Sequence, residues 1–151
     1  MLFRTHLAIT CFFILLLLPF VLHKIVFILI GILATYIPDI DTKNSKIGRK
    51  MIFRILQIFS THRGFFHSFT FLILITIVFS MFIPVLALGF FVGYSSHLLS
   101  DSFTKEGIMP FYPWKKKSYG MLRTGGKIET GIFLGFVVAD LFLVVRYVFG
   151  G

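Results

Sequence analysis

The chain has 151 residues, the length of one domain, and its composition is 57% hydrophobic and only 14% charged. Soluble domains carry about 45–50% apolar and about 25% charged residues, so this composition excludes an ordinary soluble protein and indicates an all-α membrane bundle. The formal net charge of +9 does not indicate a nucleic-acid partner, because the basic residues fall mainly in two loops between apolar runs.

Five apolar runs predict about five transmembrane helices in one membrane-embedded domain, residues 1–151. The first contains the single cysteine, Cys11, so an intramolecular disulfide and a thiolate metal cluster are excluded. It also resembles a signal peptide, but no small-residue cleavage site follows, which favours a retained helix. The first two runs reach the roughly 20 residues of a span only if their polar ends enter the interface. The runs are 7–22, 25–37, about 65–83, 84 to about 100, and 131–149.

The positive charges predict the orientation of these helices. Lysines and arginines concentrate in segments 39–64 and 101–130, which lie on the same side of a five-helix bundle. Because basic loops stay in the cytoplasm, we expect a multi-pass protein of the cell (inner) membrane with both loops and the N-terminus inside. Within the first loop, residues 51–59 are apolar with one arginine, which fits a short helix on the membrane surface or a buried loop segment.

Polar residues that bind metals are expected to collect at this cytoplasmic face, at the ends of all five helices. Imidazole and carboxylate ligands without thiolates favour zinc, with manganese or iron as alternatives, over calcium or magnesium. The set exceeds the three or four protein ligands of one catalytic zinc, so two or three ions fit it. The predicted ligands are His6, Asp39, Asp41, His62, His67, His97, Asp101 and Glu129.

The spacing of these residues along the chain allows paired side chains to point toward the same site. His97 and Asp101 are four apart, so a helix places both side chains on one face. Asp39 and Asp41 are two apart after a proline, which in extended backbone points both to one side.

The two histidines of segment 62–67 need a break in the helix to converge. His62 and His67 are five apart, which on a continuous helix separates their directions by about 140°. Gly64 permits such a break. The sequence therefore predicts His62 in the loop and His67 within the following helix.

Small residues suggest how the helices approach one another. Gly89 and Gly93 precede His97 at four-residue steps, and Gly131 and Gly135 form a similar stripe on the last run. Asp140 lies deep in that last run, where we expect it to make a structural hydrogen bond to a neighbouring helix.

The ordered motifs resemble those of the YdjM-like membrane-bound metal-dependent hydrolases over nearly the whole chain. That family is in turn distantly similar to zinc-dependent phospholipase C enzymes, which bind a zinc cluster through His, Asp and Glu, including a His-x-x-x-Asp pair like that at 97–101. Phe66 departs from the family pattern, in which threonine is usual. The resemblance implies a helical inner-membrane protein with a hydrolase site. The motifs are His6, PDID (38–41), GRK (48–50), HRGFFHS (62–68), GYSSHLLSD (93–101) and GGKIE (125–129).

The function predicted from these observations is metal-dependent hydrolysis of a phosphoester in a lipid or lipid-like substrate of the membrane. Asp39 or Asp41 is expected to bridge metals or to act as base on the attacking water. Arg63, with Arg49 or Lys50, is placed to bind the phosphoryl group and neutralise its charge.

Two other functions compete with this prediction. A membrane protease or amidase is disfavoured because the sequence has no H-E-x-x-H motif. A metal transporter or sensor without hydrolase activity is the non-enzyme alternative, although a transporter should carry ligands through the membrane midplane. Outside the predicted site, Trp114 and the lysines at 115–117 are typical of an interfacial anchor, and His23 fits an ordinary turn residue on the opposite face.

Overall fold

The computed structural model describes residues 1–41, 65–114 and 116–150, with only the backbone described for Ile40 and Asp41. Over these ranges the chain is helical, and its only extended pairing consists of two isolated bridges. Each of the five apolar runs contains one α-helix, which confirms the all-α prediction. The helices are α1 (Phe3–Leu17), α2 (Lys24–Tyr36), α3 (Phe69–Phe82), α4 (Pro84–Ser102) and α5 (Lys127–Phe149).

Two of the described helices are long and apolar enough to cross a membrane. One is α1 continued by a short 3₁₀ helix to give 18 residues, Phe3–Phe20, and the other is α5 with 23 residues. Helices α2 and α3 are apolar but have only 13 and 14 residues, which corresponds to about 20 Å at 1.5 Å per residue. The hydrocarbon core is about 30 Å thick, so length and apolar content together support two crossings, whereas five were expected. Helix α4 has 19 residues but is not one of these two.

The start of α3 differs from the sequence prediction. Ser68 is the N-cap residue, and its hydroxyl accepts a hydrogen bond of 3.2 Å from the backbone N–H of Phe71. Because a capping serine lies outside the helix that it caps, His67 belongs to the preceding turn. The prediction that His67 lies within the helix is therefore wrong, and His62 and Gly64 lie outside the described residues.

Helices α2 and α4 approach closely through glycines. A Cβ atom placed on Gly93 would lie 1.9 Å from the backbone oxygen of Gly31, and one on Gly89 would lie 3.0 Å from that of Phe27. The expected packing role of the small residues on α4 is thus confirmed. On α5, by contrast, Cβ atoms on Gly131 and Gly135 would meet nothing within 4 Å, so that stripe mediates no packing within the described chain.

Helix α4 lies at the centre of the bundle, in contact with α1, α2 and α3, while α5 packs on α1. Its side chains Tyr94 and Leu98 are fully buried, and Ile108 from the α4–α5 connection joins the same core. Short links join α1 to α2 and α3 to α4, so each of these pairs is antiparallel. Asp39 after α2 lies 3.9 Å from His67 before α3, which brings the two pairs together at these ends. The start of α1, the end of α2, the start of α3 and the end of α4 therefore meet at one end of the bundle.

The connection between α4 and α5, residues 103–126, folds back on itself. Ile108 and Ser118 exchange backbone hydrogen bonds of 3.2 and 2.9 Å. Gly107 has a φ of 61°, and a Cβ there would lie 1.8 Å from the backbone oxygen of Ser118, so this turn requires glycine. The apolar segment 51–59 of the preceding loop lies outside the described residues.

Candidate metal centre

The candidate site begins with the last turns of α4. His97 and Asp101 are 0% and 2% exposed, and His97 Nε2 lies 3.8 Å from Asp101 Oδ2 across one helical turn. The spacing of four residues therefore places both side chains on one buried face, as expected. A buried carboxylate needs compensating partners, and Asp101 has them in the amino group of Met1 and the imidazole of His6.

The hydrogen bond made by His97 determines which of its nitrogens faces the site. Its Nδ1 lies 2.9 Å from the carbonyl oxygen of Thr35 at the end of α2. A carbonyl oxygen only accepts, so Nδ1 carries the proton and Nε2 presents a lone pair. That Nε2 is buried and has no hydrogen-bond partner among the described residues. A backbone carbonyl behind one nitrogen and an open lone pair on the other is the usual arrangement of a metal-binding histidine.

Side chains from three segments of the chain lie close together at this end of the bundle. Asp39 Oδ1 lies 3.8 Å from His97 Nε2 and 3.9 Å from His67 Nε2, and Asp101 Oδ2 lies 4.0 Å from His67 Nε2. Ligands at about 2.0–2.1 Å from a tetrahedral zinc are about 3.3–3.4 Å apart. These separations are therefore wider than those around zinc by roughly half an ångström. Asp39, His67 and His97 form a group whose ligand atoms lie within 4.8 Å of one another, and Asp101 adjoins it.

A second group of candidate ligands adjoins the first. His6 Nε2 lies 3.2 Å from Asp101 Oδ1, and its ring stacks on that of His97 with centroids 4.0 Å apart. The amino nitrogen of Met1 lies 2.5 Å from the same aspartate oxygen. His6, His97 and Asp101 form one group with ligand atoms within 4.8 Å, and Asp39, His67 and His97 form another. Asp101 Oδ1 thus faces His6 and the Met1 ammonium, whereas Oδ2 faces His67 and His97.

Asp39 differs from the other residues of the cluster in its exposure. Its side chain is 28% exposed, whereas those of His67, His97 and Asp101 are at most 3% exposed. Burial of part of the carboxylate raises the pKa of Asp39 above the usual range of an aspartate, against the opposing effect of His67 and His6. Cation binding competes with that proton. Among these four ligand candidates, Asp39 is thus the one in contact with solvent.

Glu129 is buried near this end of the bundle, with both oxygens on backbone donors. The Leu2 N–H donates to Oε1 at 2.6 Å, and the Gly125 N–H donates to Oε2 at 2.5 Å. A carboxylate beside unpaired N–H groups at helix starts is stabilising. Glu129 therefore links the start of α1, which carries His6, to the start of α5, and its metal-ligand role stays a prediction.

Several predicted site residues cannot be placed in this geometry. Pro38–Asp41 forms a 3₁₀ helix, so the prediction of extended backbone at Asp39 and Asp41 is wrong. The Asp41 side chain lies outside the described residues, as do four whole residues of the loop between α2 and α3: Arg49, Lys50, His62 and Arg63. Their predicted roles as base, ligand and substrate-binding residues stay predictions.

Below the cluster, hydroxyl groups of three helices form a buried network that the sequence reasoning missed. Thr35 Oγ1 lies 2.9 Å from Thr10 Oγ1, which lies 2.7 Å from Ser96 Oγ. The network joins α1, α2 and α4 and positions the residue whose carbonyl orients His97. A spacing signal was present in the sequence, since Thr10 is four residues from His6 and Thr35 is four residues from Asp39.

Tyr94 plays a comparable part for His67. Its ring is fully buried, and its hydroxyl donates to the backbone carbonyl of Phe66, the residue before His67. We expect Tyr94→Phe to weaken metal binding by roughly tenfold, because loss of such outer contacts loosens a ligand. Competitive titration with a chromophoric chelator measures this change. Tyr119→Phe, at a ring that is 69% exposed, is the control, and equal affinities of the two variants would contradict the assignment.

Asp140 does not show the interaction expected of it. Its Oδ1 atom is buried and has no hydrogen-bond partner among the described residues. The predicted hydrogen bond to a neighbouring helix is therefore not found.

Comparison with known proteins gives one family and one relative of unassigned activity. Residues 1–150 match the model of the YdjM inner membrane protein family. The chain is 30% identical over 118 residues to the uncharacterized protein YvsG of Bacillus subtilis (strain 168), with 74% of each chain covered. No solved structure matches the chain.

Proposed function

Because the chain belongs to the YdjM inner membrane protein family, we propose that it is a membrane-bound, metal-dependent hydrolase acting on a phosphoester of a lipid or lipid-like substrate. One observation carries the proposal: the buried His97 Nε2 has no hydrogen-bond partner among the described residues and lies 3.8 Å from the carboxylates of both Asp39 and Asp101. An acceptor buried without a partner costs about 1–3 kcal/mol. A bound cation offsets that cost and the repulsion between the carboxylates.

The donor set supports a transition metal. Asp39, His67, His97 and Asp101 would hold one ion, and His6 with the second oxygen of Asp101 would contribute to another. Imidazole and carboxylate donors suit zinc, with manganese and iron as alternatives. When bound, such an ion supplies Lewis-acid polarisation of the substrate and lowers the pKa of a coordinated water.

The protein's own groups then have distinct roles in hydrolysis. Asp39, the more exposed of the two carboxylates, orients the attacking water and accepts its proton. Asp101, which faces His6, His67 and His97, holds the cluster together. Arg63, with Arg49 or Lys50, is proposed to bind the phosphoryl oxygens, and Asp41 to support Asp39.

The membrane location supports a lipid substrate. We infer that all five helices enter the bilayer and that the cluster faces the cytoplasm, as the basic loops on its side indicate. Two helices are long and apolar enough to span, and the cluster lies at the start of one of them. A site at helix ends is level with lipid headgroups, where a phosphoester is the most accessible hydrolysable bond.

The test is hydrolysis by purified protein loaded with zinc, manganese or iron, on a panel of phospholipids and lipid phosphates in mixed micelles. We expect release of phosphate or of a phosphorylated headgroup by the wild-type protein. His97→Ala, loaded identically, is expected to lose at least about 10³-fold in rate. His23→Ala, at the far end of the bundle where α2 begins, is the control and should retain full activity.

Two outcomes contradict the proposal. Absence of hydrolysis on every substrate by metal-loaded protein would overturn the enzymatic function. Metal-dependent ion flux into proteoliposomes, without hydrolysis, would support a transporter. The described ligand candidates lie at one end of the bundle, and a transporter is expected to bind its ion near the midplane.

A further inference from the structure

Helix α3 presents an apolar flank that is too short for the membrane. Its 14 residues span about 21 Å, whereas the hydrocarbon core is about 30 Å thick. Side chains along its outer side are about half exposed, including Ile73, Leu74 and Ile77. In a bilayer these groups contact acyl chains, and the flank needs further apolar surface at one end.

Residues 110–114, 116 and 117, here termed the aromatic arm, lie at the start of α3, which is the end nearest the metal cluster. The backbone N–H of Phe69 donates to the carbonyl of Pro110 at 2.8 Å, and the Thr70 hydroxyl donates to the carbonyl of Tyr112 at 2.9 Å. The rings of Phe69 and Phe111 have centroids 6.5 Å apart. The arm therefore adds apolar surface to the flank of α3 at the first turn of the helix.

The outer surface of the arm combines large aromatic and basic groups. Phe111 and Trp114 are 55% and 74% exposed, and the side chains of Lys116 and Lys117 are also exposed. Exposed aromatic rings beside lysines are unfavourable in water, but they match the boundary where acyl chains meet headgroups. Lysine side chains at that level extend their ammonium groups toward lipid phosphates.

We propose that the aromatic arm is a lipid-binding surface for anionic headgroups in the leaflet on the metal-cluster side. Phe111 and Trp114 enter the acyl boundary, and Lys116 and Lys117 bind the lipid phosphates. The occupant is the bilayer, because the arm continues an apolar helix flank and its charge is positive where anionic lipids are negative. The inference stands on the arm's own contacts and does not depend on hydrolysis.

Trp114 is the sole tryptophan of the chain, so the native protein carries its own probe. In nanodiscs whose lipids carry bromine on the upper acyl chain, we expect Trp114 fluorescence to be strongly quenched. Aqueous iodide should quench it little. Efficient iodide quenching without bromine quenching would place Trp114 in water and overturn the proposal. Quenching that instead rises with the number of protein copies per disc would assign the surface to a protein partner and likewise overturn it.

The preference for anionic lipid has a separate test. Nanodiscs of phosphatidylcholine mixed equally with brominated phosphatidylglycerol should quench Trp114 more than the mixture with the bromine on phosphatidylcholine. Each lysine is expected to raise the local preference for anionic lipid by roughly fivefold. The double variant Lys116→Gln/Lys117→Gln should lose the difference while keeping the wild-type circular dichroism spectrum.

Lys24→Gln, at the other end of the bundle, is the matched control. It should keep the wild-type difference in Trp114 quenching between the two brominated lipids. Equal quenching by the two lipids in the wild-type protein, or an equal loss in Lys24→Gln, would overturn the assignment of the lysines.

Discussion

Replacement of Asp101 by asparagine is expected to remove metal from the protein. Asp101 contacts three histidines: Oδ1 lies 3.2 Å from His6, and Oδ2 lies 3.8 Å from His97 and 4.0 Å from His67. The substitution removes one of the two carboxylates in the described cluster, Asp39 and Asp101, and leaves a neutral amide, which is a poor metal ligand. Outer-shell changes alone cost about 10–100-fold in metal affinity, so we expect a loss of at least about 100-fold.

Elemental analysis of the purified protein and a thermal melt with added metal measure this effect. A ligand that binds only the folded state stabilises it by about 2.7 kcal/mol at a concentration 100 times its Kd. The wild-type melting temperature should therefore rise with metal, and that of Asp101→Asn should not. His23→Ala changes a histidine away from the cluster and should behave like the wild-type protein. Wild-type metal content in Asp101→Asn would contradict the site.

Substitution of Gly93 by alanine is expected to have the largest effect on stability. The new Cβ would lie 1.9 Å from the backbone oxygen of Gly31 and 2.7 Å from its carbonyl carbon. Backbone atoms cannot yield as a flexible side chain does, so α2 and α4 must separate by more than 1 Å. Overpacking of a tight interface costs about 1–3 kcal/mol and occasionally more, and we expect the upper part of this range.

The same displacement should reach the metal cluster. Thr35, whose carbonyl orients His97, lies one helical turn beyond Gly31. Gly93→Ala should therefore lower both the melting temperature in detergent and the metal content. Gly135→Ala, where the added Cβ meets nothing within 4 Å, should change neither. A wild-type melting temperature in Gly93→Ala would show that the helices are not in contact there.

Local pattern predicted the helical elements well and the capping details less well. Long apolar runs bounded by proline or basic residues correspond to the five helices, because apolar length is a direct consequence of burial in lipid. The prediction placed His67 inside the helix because the apolar run begins at about Phe65. The helix itself begins only after its capping residue, Ser68. A serine cap is a local signal, and it competes here with the stronger hydropathy signal.

In the candidate site, contacts within one helix were predictable from the sequence, and contacts between distant segments were not. His97 and Asp101 share a face because helical geometry relates residues four apart. The sequence predicts Glu129 as a further ligand because it stands at the start of a helix. In the structure its two oxygens accept hydrogen bonds from the backbone N–H groups of Leu2 and Gly125. The sequence contains no indication of that pairing, since Leu2 and Glu129 are 127 positions apart.

By itself, the sequence determined that this chain is a helical membrane protein with histidines and acids gathered at helix ends. Those conclusions depend on composition and on contacts within one helix. Such contacts can be predicted from the spacing of residues along the sequence. Only the tertiary structure decided that the Thr35 carbonyl orients His97 and that Asp39 and Asp101 lie on either side of its free nitrogen. Those contacts depend on the crossing of α2 over α4 at Gly31 and Gly93. The close approach of two backbones is a property of the packed bundle and of neither segment alone.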